Sequence, residues 1–109
     1  MAIVKTAGDD GSQQAIIDGE NQFSDPVSVV GAGVSKVAVG IVGDAGVAVD
    51  GTVHIQMKRP DWASTEYIDV ANRTAADILV LELIGSWDVR AGVKTGNFGS
   101  NDVQVEIVI

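Results

Sequence analysis

This sequence predicts an all-β fold: an antiparallel β-sandwich or jelly-roll-like barrel with an extended N-terminal arm. Three observations predict it. Apolar and polar residues alternate with period two through residues 51–70 and again through residues 87–109, the period of a strand with one buried face. Thirteen glycines against two prolines suit many tight turns between short strands. Helical spacing is nowhere sustained over the length of a helix. The 109 residues make room for one domain with one core, burying about two-thirds of the surface of the unfolded chain.

The elements follow in order. Residues 1–5 can form a short strand, TAGDDGSQQ reads as a loop, and residues 15–17 are a brief apolar patch. Residues 19–25 are polar and turn-like except for Phe23. Residues 1–25 hold too few apolar side chains for a core of their own, so they are expected to be an arm lying on the domain or on a neighbour, with the sandwich in residues 26–109. Val27 and Val29 mark the first readable strand, and residues 34–42 the next. There Val37, Val39 and Ile41 face one side, while Ala38, Gly40 and Val42 face the other; the small Ala38 and Gly40 suggest close approach of another layer. Residues 43–46 are a turn, after which residues 47–49 are expected to continue as strand. Asp50-Gly51 is a hairpin-type turn signal. Val53, Ile55 and Met57 then point inward, against Thr52, His54 and Gln56. Pro60 ends that strand because it cannot donate to the ladder. Residues 67–70 form a short strand and residues 72–77 a loop.

Residues 78–84 differ from the rest. Leu79, Leu81 and Leu83 make one apolar face, and Ile78, Val80 and Ile84 make a second, broken only by Glu82. A strand apolar on both faces is expected to be covered on both, either by the arm or by another subunit. In the closing segment Trp87, Val89, Ala91 and Val93 oppose Asp88, Arg90, Gly92 and Lys94. After a Gly- and Asn-rich turn, Val103, Val105, Ile107 and Ile109 repeat the pattern against Gln104 and Glu106.

A formal charge of −8 argues against nucleic-acid or anionic-membrane surfaces, which require clustered Lys and Arg. Cysteine is absent, so neither a disulfide framework nor a thiolate metal site can form. The opening MAIVKTAGDD has no basic region followed by a long apolar run, so no signal peptide is expected. No stretch approaches the apolar length of a membrane helix, and the expectation is a soluble product made in a cytoplasm.

Catalytic chemistry finds no motif. His54 is the single histidine, on the polar side of its strand, where solvation is its expected role. A G-x-S-x-G elbow is missing, and one His cannot supply a catalytic zinc site. Carboxylates are plentiful, but neither Asp9-Asp10-Gly11-Ser12 nor residues 97–102 has EF-hand spacing, and turn duty explains most Asp residues. Gly31-Ala32-Gly33-Val34-Ser35-Lys36 lacks the spacing of a phosphate-cradling loop and precedes a strand instead of a helix. Neither a cofactor nor a metal is expected, and the chain is not expected to be an enzyme. Trp62, beside Pro60 in a turn, is a candidate surface aromatic, either a stacking platform or a lid on the core.

The order G-T-V-x-[IL]-Q at residues 51–56, a Trp turn at Trp62, Y-I-D-V at residues 67–70, V-R-A-G-V-K-T-G at residues 89–96 and V-x-V-x-[IL] at residues 103–107 resembles a group of small all-β bacteriophage virion proteins. The likeness covers about the last sixty residues well and the opening half loosely. This chain departs from the group at Trp87-Asp88-Val89, where Tyr-Arg is usual, and in lacking the Gly run at its Trp turn. The resemblance implies a structural protein of the virion, above all a capsid decoration (cement) protein on the capsid exterior. Such a protein binds the major capsid protein of an assembled shell as a homo-oligomer, with a trimer favoured and a dimer next. The expected contacts are Ile3, Val4, Ile16, Ile17 and Phe23 on the arm, and Ile78, Val80 and Ile84 on the doubly apolar strand. A tail, neck or fibre component is the structural alternative. A carbohydrate-binding module with Trp62, Tyr67 and Phe98 stacking on sugar is the alternative of another class.

Overall fold

The computed structural model describes Val4–Ala7 and residues 13–109, with side chains from Ala15 onward. Strands are β1 (Val4–Ala7), β2 (Gln13–Ile17), β3 (Gln22–Phe23), β4 (Val27–Val29), β5 (Val34–Gly43), β6 (Val53–Lys58), β7 (Ile68–Arg73), β8 (Asp77–Ile84), β9 (Trp87–Val93) and β10 (Val103–Val108). All pair antiparallel in two sheets. One runs β1-β2-β10-β5-β8; the other runs β3-β9-β6-β7, with β4 also on β9.

The faces that close on each other are those the alternation assigned inward. Val37, Val39 and Ile41 of β5 and Val103, Val105 and Ile107 of β10 meet Val53 and Ile55 of β6 and Val89, Ala91 and Val93 of β9 in one buried cluster. Each valine or isoleucine among them is worth about 1.5–3 kcal/mol of burial. The all-β sandwich expected from the sequence is the fold observed.

The boundary drawn at residue 25 does not match the sheets. β2 pairs with β10, and Ala15 and Ile17 are core residues. Residues 22–29 then run along β9 as one interrupted strand: β3 pairs at Val93 and Gly92, β4 at Val89 to Trp87. Between them the buried Ser24 exchanges bonds with Ala91, its N–H donating to the Ala91 carbonyl at 2.8 Å and its Oγ accepting from the Ala91 N–H at 3.1 Å. Pro26, without an N–H, follows where the pairing slips by one residue. Polar Gln22 and Ser24 hide this strand from a hydropathy reading, because what they bury is bonded to backbone instead of packed on apolar neighbours. Gly92 is required here. A Cβ on it would overlap the Gln22 carbonyl and the Phe23 backbone crossing above.

Three further boundaries differ. Residues 47–49 are not strand, because a 3-10 turn at Asp44–Gly46, with Ala45 and Gly46 both at positive φ, throws the chain off the sheet. β7 runs to Arg73, leaving residues 74–76 as the turn into β8. Ile109, expected inward, is exposed beyond the end of β10.

Candidate functional site

Two outer faces carry the features with functional potential. The first belongs to β5 and β8. Ile78, Val80 and Ile84 are 74%, 61% and 74% exposed, and Val34 and Val42 of β5 lie on the same face, also exposed. The register makes the face continuous: Ile84 is opposite Val34, Val80 opposite Ala38, and Ile78 opposite Gly40. Lys36 and Glu82, also opposite each other, pair at 3.8 Å in open solvent, a contact worth about 0–1 kcal/mol. Because Gly40 has no side chain, a cavity of about 580 Å³ opens over it, walled by Val42, Ile78 and Asp77 and by Gln104 and Glu106 of β10. The second cover expected for the doubly apolar strand is therefore not supplied by the described residues of this chain. β1 and β2 lie at the far edge of the same sheet.

The second face belongs to β6, β7 and β9, and here the expected solvation of His54 is corrected. His54, Gln56 and Lys58 point outward from β6 yet are only 8%, 6% and 6% exposed. β6 is flanked on both sides, so His54 and Gln56 each have a cross-strand neighbour on β7 and on β9, while Lys58 lies opposite Asp88 of β9 and under the loop that follows its own strand. Gln56 bridges them, with Nε2 donating to Asp69 Oδ1 at 2.8 Å and Oε1 accepting from Arg90 Nε at 2.9 Å. The Arg90 guanidinium lies between the Phe23 ring at 4.2 Å and the Tyr67 ring at 3.8 Å. Burial lowers the Arg90 pKa and raises that of Tyr67.

Lys58 donates to the carbonyls of Arg59 at 3.1 Å and Trp62 at 3.2 Å, and pairs with Asp88 at 3.3 Å. It thereby closes the loop that carries Trp62. His54 Nε2 shares a hydrogen bond with Asn97 Oδ1 at 3.0 Å; Nδ1 faces Asp69 Oδ2 at 3.5 Å without bonding it. Burial works against the ionised Asp69 carboxyl, but hydrogen bonds from Lys94 and Gln56 and the Lys94 charge outweigh it and hold its pKa below the usual value.

The sequence-derived contact residues separate. Ile78, Val80 and Ile84 share the apolar face. Ile17 is fully buried in its own core, Ile16 is half-buried, and Phe23 is covered by Arg90. Ile3 and the Val4 side chain lie outside the described residues. Trp62 is 39% exposed and packs edge-on against Trp87 at 6.3 Å, beside a cavity of about 350 Å³ lined by Ala63, Glu66 and Ile68. Phe98 packs against the core and Tyr67 against Arg90, so the two do not join Trp62 as free stacking surfaces. Among the described residues no group of His, Cys, Asp or Glu is placed to hold a metal ion.

Val34 was missed as a contact, although the alternation of β5 places it with Ala38 and Gly40. The polar strip was missed because period two reports only that a residue faces outward, not that its neighbours will cover it.

No family model and no curated protein matches the chain. Among solved structures the chain is similar to the cumin domain of CENP-C from Drosophila melanogaster. That likeness has a TM-score of 0.32 and 7% identity over 97% of this chain and 71% of the other, and it carries no argument about function.

Proposed function

We propose that the chain is a structural protein of a bacteriophage virion: a non-enzymatic decoration (cement) protein that binds the major capsid protein on the outside of an assembled shell. The observation that carries the reading is the bare apolar face of β5 and β8, because folded domains that work alone rarely leave such a face to water. The strand-and-turn likeness of residues 51–107 to small virion proteins supplies the kind of assembly. The mechanism is mass action: a protein that binds only the assembled lattice stabilises it, by about 2.7 kcal/mol per site at a hundredfold excess over Kd. Quantitative mass spectrometry of purified virions tests the reading. A copy number in fixed ratio to the capsid protein supports it. A few copies per particle move the chain to the tail or neck, and absence from the particle overturns it.

A carbohydrate-binding role keeps one observation, the half-exposed Trp62 beside its cavity. Retention on host polysaccharide that Trp62→Ala abolishes would establish it in place of the shell role.

A further inference from the structure

We propose that two copies of this chain join edge to edge through β8, antiparallel and centred on Leu81, making one continuous sheet across a two-fold axis. The inference stands apart from the virion reading, since it concerns the purified chain alone.

β8 ends the order of its sheet, so one side of its backbone has no neighbouring strand among the described residues. Which groups point that way follows from the register. Gly85 N–H donates to the Gly33 carbonyl at 3.3 Å, continuing the ladder in which Ile84 faces Val34. The odd-numbered residues of β8 are therefore the ones bonded to β5, and Ile78, Val80, Glu82 and Ile84 aim their N–H and C=O groups outward.

Two of those outward groups are already occupied. Ile78 N–H donates to Asp77 Oδ1 at 2.8 Å, and the Ile84 carbonyl accepts from Trp87 Nε1 at 2.9 Å. The others have no partner among the described residues: the Ile78 carbonyl, both groups of Val80, both groups of Glu82, and the Ile84 N–H.

Set a second copy antiparallel with Leu81 facing the partner's Leu81. Val80 and the partner's Glu82 then exchange both of their bonds, and Ile84 N–H meets the partner's Ile78 carbonyl. Every free group finds a free group. The two groups that this register would leave to each other are the two that Asp77 and Trp87 have taken. The side chains agree: Ile78 faces the partner's Ile84 on the outer side, Leu79 faces the partner's Leu83 within, and the half-buried Leu81 is covered by its own copy. Glu82 falls opposite the partner's Val80, so the like charges are not direct partners.

Apart from the charges of Asp77 and Glu82, β8 lacks two of the usual protections of an edge. It has no proline, and its register with β5 is unbroken. The corresponding edge of the other sheet, β7, is interrupted by a bulge where Val70 drops out of pairing with β6. The resulting symmetry is two-fold, in place of the trimer favoured by the sequence.

Sedimentation velocity of the full chain across a concentration series should show a monomer–dimer equilibrium that tightens with salt, because each copy carries a formal charge of −8. Val80→Pro removes an outward N–H without touching the β5 ladder, and should weaken the dimer by about tenfold or more. Cross-linking fixes the register in a chain without cysteine. Leu81→Cys places two thiols at a non-hydrogen-bonded pair about 4.5 Å apart between Cα atoms, within disulfide reach. It should oxidise to a covalent dimer faster than Val80→Cys. A chain that stays monomeric throughout, or Val80→Cys cross-linking faster than Leu81→Cys, overturns the proposal.

Discussion

At the scale of single residues, Lys58 holds the most. Its stem lies on the outer side of a central strand, and its ammonium ties Asp88 to two carbonyls of the Trp62 loop. Lys58→Met keeps much of the volume but leaves Asp88 largely buried without its counter-ion, a loss of about 3–5 kcal/mol. Urea denaturation should show this, with a changed tryptophan signal from the Trp62–Trp87 pair. Gly92→Ala should cost about 1–3 kcal/mol by pushing β3 off β9, and the same measurement reads it. Alternation in the sequence ranks Val105 and Leu81 alike as inward residues, and burial separates them. Val105 is sealed in the centre of its sheet, whereas Leu81 sits half-covered at an edge. Val105→Asp is therefore expected to abolish cooperative thermal unfolding, and Leu81→Asp to leave a folded chain with a lowered Tm.

At the scale of elements, β5, β6, β8, β9 and β10 were legible because each buries one face against apolar neighbours, which prints period two directly on the chain. β2 and β3 were not. β2 is short and follows a polar loop, and β3 is anchored through Gln22 and Ser24, whose burial is satisfied by hydrogen bonds that hydropathy does not register. Reading residues 1–25 as an arm implies that deleting residues 1–18 leaves the sandwich intact. The pairing of β2 with β10 and the burial of Ala15 and Ile17 imply the opposite. The truncated chain should lose several kcal/mol, about 1.5–3 for Ile17 alone, and expose the flank of β10. Differential scanning calorimetry of the two chains checks it. Of the candidate site, the exposed row Ile78, Val80 and Ile84 was readable; the buried polar strip was not, since covering depends on which strands become neighbours.

At the scale of the whole molecule, the excess of carboxylates sets the response to acid. Asp69, Asp50 and Asp77 all have pKa values below the usual 3.8: Asp69 for the reasons given, Asp50 because Ser100 and Asn101 donate their N–H groups to it, and Asp77 because Arg73 and the Ile78 N–H do so. Each contributes stability at pH values above its unfolded pKa, and that stability is lost as pH falls through the lower folded value. Melting temperature should be level from neutral pH to about 4 and decline beneath it; Asp69→Asn should begin lower and decline less. The pairing of β2 with β10 also governs the order of events at the ribosome. β10 is the common neighbour of β2 and β5, and it follows both of them, and every other described strand, in the chain. Until it emerges, β2 has nothing to pair with on that side and one edge of β5 stands unpaired. The sandwich consequently closes after translation of residue 108, through pairings between distant parts of the chain that form slowly. A chain stopped after Asp102 should be found with chaperones or proteases instead of in the folded pool.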